Sequence, residues 1–287
     1  MPAQNRFRRL RQLLAPMLRP VLEHGGPLRR LAIARLAKRQ PSQVTLNGLR
    51  YDVHPGDFGV TLELIGTGQY EPGSLQVLLD LLPKGGTFID VGAHVGLFTL
   101  PAARHVGDNG RVVAFEPDPD NRRLLEANIE RNELGHIVEV IPAAVAAENG
   151  SAILHRSAWN TGDHRLLGAP RGRRGVPVDV VALGPFLKER GLKADAVKID
   201  VQGAEARVIR GLGQPDPLPA LLMEYSPSMV ADAGDDPASL LEQLDSAGWQ
   251  LHIIDEDTGD LLEGDPATIR RQCPHRSYVN LLAEARA

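Results

Sequence analysis

The first chemical signal in this chain is carried by an aspartate, two glycines and a glutamate. Thr87 to Val91 (TFIDV) is a short β-rich run with Asp90 near its end. Gly92-Ala93-His94-Val95-Gly96 follows at once, before an apolar helical stretch from Leu97 to Arg104. This is the pattern of a strand, a glycine turn and a helix. Glycine lets the backbone approach a ligand that a side chain would hold away, and the helix N-terminus offers unpaired N–H groups. A cofactor therefore fits at the carboxyl end of the strand. A second strand, Arg111 to Phe115 (RVVAF), ends in Glu116-Pro117, and a helix follows from Asp118 to Asn132. A carboxylate at that tip can accept hydrogen bonds from both hydroxyls of a ribose. Glu116 could also cap the helix, and the glycines could form a plain turn. Loop and acid together, at matching strand ends, are what make the pattern specific.

The spacing D-x-G-x-x-x-G departs from the dinucleotide fingerprint G-x-G-x-x-G, because an acid stands where the first glycine belongs. Asp90 would repel a pyrophosphate, whereas a ligand carrying a sulfonium and an ammonium is attracted to it. These electrostatics favour S-adenosyl-L-methionine. The competing readings are a nicotinamide-dependent oxidoreductase and a non-catalytic cofactor-binding module tethered to a membrane or partner.

Three motifs in order, FIDVGAHVGLFT, VVAFEPDPDNRRLLEANI and VKIDVQGAEARVIRGL, resemble the FkbM family of S-adenosylmethionine-dependent methyltransferases. The resemblance runs from about residue 56 to 283. It implies an α/β fold of the class I methyltransferase (Rossmann-like) type. This is a seven-stranded, mostly parallel sheet in the order 3-2-1-4-5-7-6, with an antiparallel seventh strand and helices on both faces. It also implies O-methylation of a sugar, glycan or small natural-product hydroxyl. Laid over this sequence, strand three is Ile137 to Ile141, four Ala196 to Asp200, five Leu218 to Tyr225, six Trp249 to Ile254 and seven Tyr278 to Ala283. Helices are expected at Ser74 to Leu82, Gly203 to Arg210 and Pro237 to Ala247, and Asp255 to Arg276 reads as a hairpin-like excursion.

Side chains alternate along a strand, so Lys198 and Asp200 share one face of strand four. In the class the resemblance implies, the Asp200 position serves catalysis or orients the acceptor, which makes it the first candidate for a general base. It could also cap the following helix. Lys198, on a central strand, needs a partner for its buried ammonium, and Asp200 or Glu224 could supply one. Lys198, Asp200 and Glu224 form the catalytic set. Glu71, in a Tyr-Glu-Pro sequence that the family shows ahead of its glycine motif, joins Asp90, Gly92, Ala93, Gly96, Glu116 and Ala143 as cofactor-binding. Asn160, Arg165 and Glu205 are the substrate-binding candidates, although Glu205 lies in a first helical turn where an acid also suits the macrodipole. No metal is assigned, since no histidine or second carboxylate is closely spaced with Asp200. His94 is read as shaping the glycine turn.

Residues 155 to 175 form the least regular stretch, and their five arginines face a single acid, Asp163. As a lid over the cleft they would suit an anionic acceptor, small molecule or glycan; as a solvated loop they would do nothing chemical.

Composition bounds the rest. At 287 residues, with 43% hydrophobic and 24% charged, the chain falls in the ordinary globular range, which excludes disorder, collagen and disulfide scaffolds. Aromatics at 4% leave aliphatic side chains to fill the core. The single Cys273 can form neither an intramolecular disulfide nor a cysteine metal site, which fits a reducing cytoplasm. The net charge of -4 conceals an asymmetry: residues 1 to 40 hold ten Lys/Arg against Glu23, leaving +9 there and -13 elsewhere. No chain-wide basic surface is available for nucleic acid. Phe7, Leu10, Leu14, Met17, Leu18 and Val21 recur at helical spacing with arginines between them, interrupted by Pro16 and Pro20. Residues 1–40 are thus a basic amphipathic helical extension, packed on protein or held peripherally on anionic lipid. Residues 41–287 form the methyltransferase domain, with 55–84 as lead-in and 85–283 as catalytic core; Asn47-Gly48 between two short alternating runs marks a hairpin before it.

Overall fold

The computed structural model describes Arg35 and residues 40–273 and 278–286. The basic extension assigned to residues 1–40 lies, apart from Arg35 and Gln40, outside the described residues. A hairpin comes first, β1 (Gln43–Leu46) and β2 (Leu49–Asp52), and Asn47 and Gly48 take φ of 48° and 78° at its turn, as the dipeptide predicts. Helices α1 (Val60–Thr67) and α2 (Pro72–Leu81) lead into an alternation of β3 (Thr87–Val91), α3 (Thr99–Val106), β4 (Arg111–Phe115), α4 (Pro119–Arg131) and β5 (Val138–Ile141). Three strands then stand apart, β6 (Ala143–Ala146), β7 (Gly150–Arg156) and β8 (Arg174–Ala182). The alternation resumes with α5 (Leu183–Glu189), β9 (Ala196–Ile199), α6 (Glu205–Leu212) and β10 (Ala220–Tyr225). It closes with α7 (Pro227–Asp232), α8 (Pro237–Ser246), β11 (Trp249–Ile254), β12 (Leu261–Glu263), α9 (Pro266–Gln272) and β13 (Val279–Ala285).

The main sheet runs β12-β11-β13-β10-β9-β3-β4-β5, and β13 is antiparallel to both neighbours. Without the edge strand β12 this is the order 3-2-1-4-5-7-6 with its antiparallel seventh strand. The excursion after β11 is a hairpin, in which Ile254 pairs with Leu261.

The period-two alternation of buried strands sorts the core into two layers. Phe88, Val112, Ala114 and Ala196 pack with Leu78 of α2, Leu100 of α3 and Leu125 of α4. Ile89, Val91, Val113 and Phe115 face the other way, onto Leu183 of α5, Val208 and Ile209 of α6 and Leu241 of α8. Helix starts are marked where an aspartate precedes proline: Asp118, Asp236 and Asp265 each accept backbone N–H groups from the first turn of α4, α8 and α9. No described helix is long and apolar enough to cross a membrane.

The smaller sheet, ordered β6-β8-β7, was not anticipated. Its β7–β8 hairpin carries residues 157–173 at its tip, so the irregular stretch read as a lid is held on a two-stranded stem.

Candidate active site

Register places the chemistry. Asp90 pairs with Lys198 across β3 and β9, and Glu224 pairs with Asn280 across β10 and β13, so these side chains meet at the carboxyl edge of one sheet face. Lys198 Nζ lies 3.1 Å from Asp200 Oδ2 and 4.5 Å from the centre of the Phe98 ring. Asp200 Oδ1 accepts a second hydrogen bond, 2.7 Å, from Gln202 Nε2. Burial opposes the charge on Lys198, but Asp200, Glu71 and Asp90 together outweigh it and raise its pKa above the ordinary range. Burial pushes Glu71 up to about 8 against the pull of Lys198, and burial with the nearby Asp200 and Glu71 carboxylates holds Glu224 well above the usual carboxylate range. Glu71 is free for this role because another acid caps α2. Glu256 accepts from the N–H groups of Gly73 (3.1 Å) and Ser74 (3.3 Å).

Asp90 is 1% exposed. Its Oδ2 accepts from Thr99 Oγ1 at 2.6 Å, while Oδ1 has no hydrogen-bond partner among the described residues. Gly92 has φ +88°, and a Cβ there would stand 2.0 Å from the carbonyl oxygen of Asp200, so only glycine lets the loop cross the end of β9. Glu116, 4% exposed, accepts from His94 N at 2.7 Å and from Asp118 N at 2.8 Å, one on each oxygen. The loop and the acid of the second strand are thereby one unit.

Between these groups runs a cleft of about 820 Å³ including its open mouth. Asp90, Gly92, Ala93, Glu116, Ala143, Lys198 and Asp200 all line it. Glu71 and Glu224 line a smaller recess that shares Phe98, Lys198 and Asp200 with the cleft. The lid contributes Thr161, Gly162, His164 and Leu166.

Four expected site residues line neither the cleft nor its recess. Gly96 faces Leu100 and Leu125, and its bare Cα lets that helix pack close. Glu205 is buried and accepts from Gly203 N at 3.0 Å, closing the turn before α6. Asn160 accepts from Gly162 N at 3.1 Å and fills the space beside Gly59. Arg165 is 2% exposed, with Nε 2.5 Å from Asp163 Oδ1. Arg173 shares that aspartate, and Arg156 pairs with Asp118 and Asp120 on α4 and its cap. Three of the five arginines are therefore engaged within the protein. His94 does more than shape its turn: at φ +54° it places Nε2 2.9 Å from Thr161 Oγ1, joining the glycine loop to the lid. Among the described residues no group of three His, Cys, Asp or Glu is placed to hold a metal.

A sheet of this order, with an acid and a glycine loop at its first strand and a second acid at the tip of its second, has the class I methyltransferase (Rossmann-like) architecture. The FkbM methyltransferase domain matches residues 90–250, more than half of the chain, and the chain belongs to that family. It is 25% identical over 167 residues to methyltransferase sdnD of Sordaria araneosa, an alignment covering 46% of this chain and 62% of that protein. It is likewise 25% identical over 193 residues to methyltransferase 1 of Beauveria bassiana, covering 60% of this chain and 75% of that one. Among solved structures, the O-methyltransferase from Bacillus cereus in complex with SAH aligns with a TM-score of 0.41 at 15% identity, over 75% of this chain and 80% of that one.

The residues present fit the cofactor. Asp90 Oδ1 is buried with no hydrogen-bond partner among the described residues and would accept from an ammonium, and Glu116, beyond its two backbone N–H bonds, would accept from ribose hydroxyls.

Proposed function

We propose that this chain transfers the methyl group of S-adenosylmethionine to a hydroxyl of a sugar, glycan or small natural product. The supporting observation is that Asp90 and Glu116 line one cleft together with Lys198 and Asp200. Bound there, the cofactor supplies an electrophilic methyl that an acceptor oxygen takes as the sulfur–carbon bond breaks. Glu116 would hold the ribose and Asp90 the amino-acid end, which would keep carboxylate charge from stabilising the sulfonium ground state more than the transition state. Asp200 orients the acceptor hydroxyl and receives its proton, and Lys198 fixes the carboxylate that does so. The recess beside them is lined by Glu71, Asp200, Glu224 and Lys198.

Calorimetry with S-adenosylhomocysteine and with NAD tests the cofactor; binding of the first alone is expected, and binding of NAD alone overturns the proposal. Transfer from a labelled methyl donor across an acceptor library separates an enzyme from a non-catalytic binding module. Asp200→Asn is expected to lower kcat by about a hundredfold, the lower range for loss of a general base, while S-adenosylhomocysteine affinity changes by less than about threefold. A parallel loss of both would point to damage to the fold, since Asp200 also holds Lys198 and Gln202.

A further inference from the structure

Asp57 lies upstream of the segment matched to the family, 90–250, and the reading above gives it no part. It is a carboxylate with 1% exposure. Its Oδ2 accepts from Thr61 N at 2.6 Å and its Oδ1 from Gly59 N at 3.3 Å, bonds that close the turn entering α1. The third bond is of another kind. Thr161 N donates to Oδ1 at 2.9 Å from 104 residues along the chain, in the lid.

The surrounding joint is closely fitted. Phe58 N donates to Trp159 O at 2.8 Å, and Asn160 occupies the space a Cβ at Gly59 would need. Asn121 Nδ2 donates to Thr161 O at 3.2 Å, and His94 of the glycine loop meets the Thr161 hydroxyl. Thr161 is therefore gripped by its N–H, its carbonyl and its side chain, each from a different element. Val60, on one side of the joint, and Thr161 and Gly162, on the other, line the cleft.

We propose that Asp57 is a positioning residue for the methyl donor: by holding the Thr161 N–H it fixes the lid against the lead-in and completes the cleft wall from outside the family domain. This rests on the reading of the cleft as the donor site. A hydrogen bond to an ionised acceptor is roughly twice as strong as a neutral one, and the buried carboxylate serves three donors at once. An asparagine has one acceptor oxygen, and its amide would turn an N–H toward donors on the other side.

The test uses the full chain and S-adenosylhomocysteine as probe. Asp57→Asn is expected to weaken its affinity about tenfold, the lower range for one hydrogen bond to a charged group, and to raise the KM for the donor in step. With saturating donor, kcat stays within about twofold of wild type, a split that general loss of structure would not produce. Trypsin cleavage in the lid, at Arg171, should accelerate in the variant and slow again when the probe is bound. If Asp57→Asn does not fold, hydrogen exchange of the wild-type segment 157–166 decides instead, with the probe expected to slow it about tenfold. Unchanged affinity in the folded variant, or exchange in that segment indifferent to the probe, overturns the proposal. Failure of the wild-type chain to bind the probe would instead sink the donor-site reading beneath it.

Discussion

At pH 9, Glu116→Gln is expected to lower affinity for S-adenosylhomocysteine by roughly ten- to a hundredfold, the cost of one hydrogen bond to a charged acceptor. The side chain is 4% exposed and each oxygen already serves one backbone N–H, from His94 and Asp118. Glutamine keeps one of these acceptors and turns an N–H₂ toward the other donor, so the ribose loses a partner and the loop loses an anchor. The pH dependence separates this from a packing effect. Burial pushes Glu116 from 4.5 up to about 8, even though both backbone N–H groups pull it down. A raised carboxyl pKa stabilises the protonated folded state: that contribution is complete below about 4.5 and is lost as pH climbs through about 8. The ionised form is the one that accepts both ribose hydroxyls. Wild-type affinity should therefore tighten about tenfold between pH 7 and 9, following the ionised fraction, while the apo protein loses stability over the same range. The Gln variant has no such group, and its affinity should stay level. Calorimetry at pH 7, 8 and 9 on both proteins decides it; a wild-type profile as flat as the variant's would remove Glu116 from the ribose.

Which parts of the fold were legible depended on how far the deciding contact lay along the chain. Thr87–Val91 and Arg111–Phe115 read as strands because central parallel strands are buried on both faces and appear as short apolar runs. Their acids stood out because each stands at the carboxyl end of an apolar run, and the other charge in those runs, Arg111, sits at the opposite end of the second. The β6-β8-β7 sheet escaped notice for the opposite reason. Ala143–Ala146 is too small and uniform to show a period, and Arg174–Ala182 carries Gly175 and Pro177 in what is nevertheless a strand. The lid arginines misled because charge was balanced locally. Asp118 and Asp120, which neutralise Arg156, lie 38 and 36 residues upstream. Asn160 and Glu205 went to short-range turns, a competition that polar side chains near helix starts often win. The joint of Asp57, His94 and Thr161 spans separations of 67 and 104 residues, and no spacing in a single sequence announces it.

Lys198→Met carries the largest expected stability change. Lys198 is 6% exposed and, among the described residues, is the only lysine or arginine lining either the cleft or its recess. Methionine preserves an unbranched apolar stem against Phe98, so little packing is lost and the change is chiefly one of charge. Removing one partner from a buried ion pair typically costs about 3 to 5 kcal/mol, because the other charge is left uncompensated. Here several carboxyl groups share that loss. The Lys198 ammonium pulls down the pKa values of Glu71, Asp90 and Glu224, all of which burial raises. Without it they climb further and take up protons, which shifts part of the cost into pH dependence. Carboxyl groups with raised folded-state pKa values contribute stability at low pH and withdraw it as pH rises through those values. The deficit of the variant relative to wild type should thus be smaller near pH 5 and grow beyond pH 8, past the value of about 8 to which Glu71 is already raised. Denaturant midpoints of the two proteins at pH 5 and 8.5 measure it directly. An equal deficit at both pH values would mean that Lys198 supports the fold through its stem alone, and that the acids around it are balanced by something other than its charge.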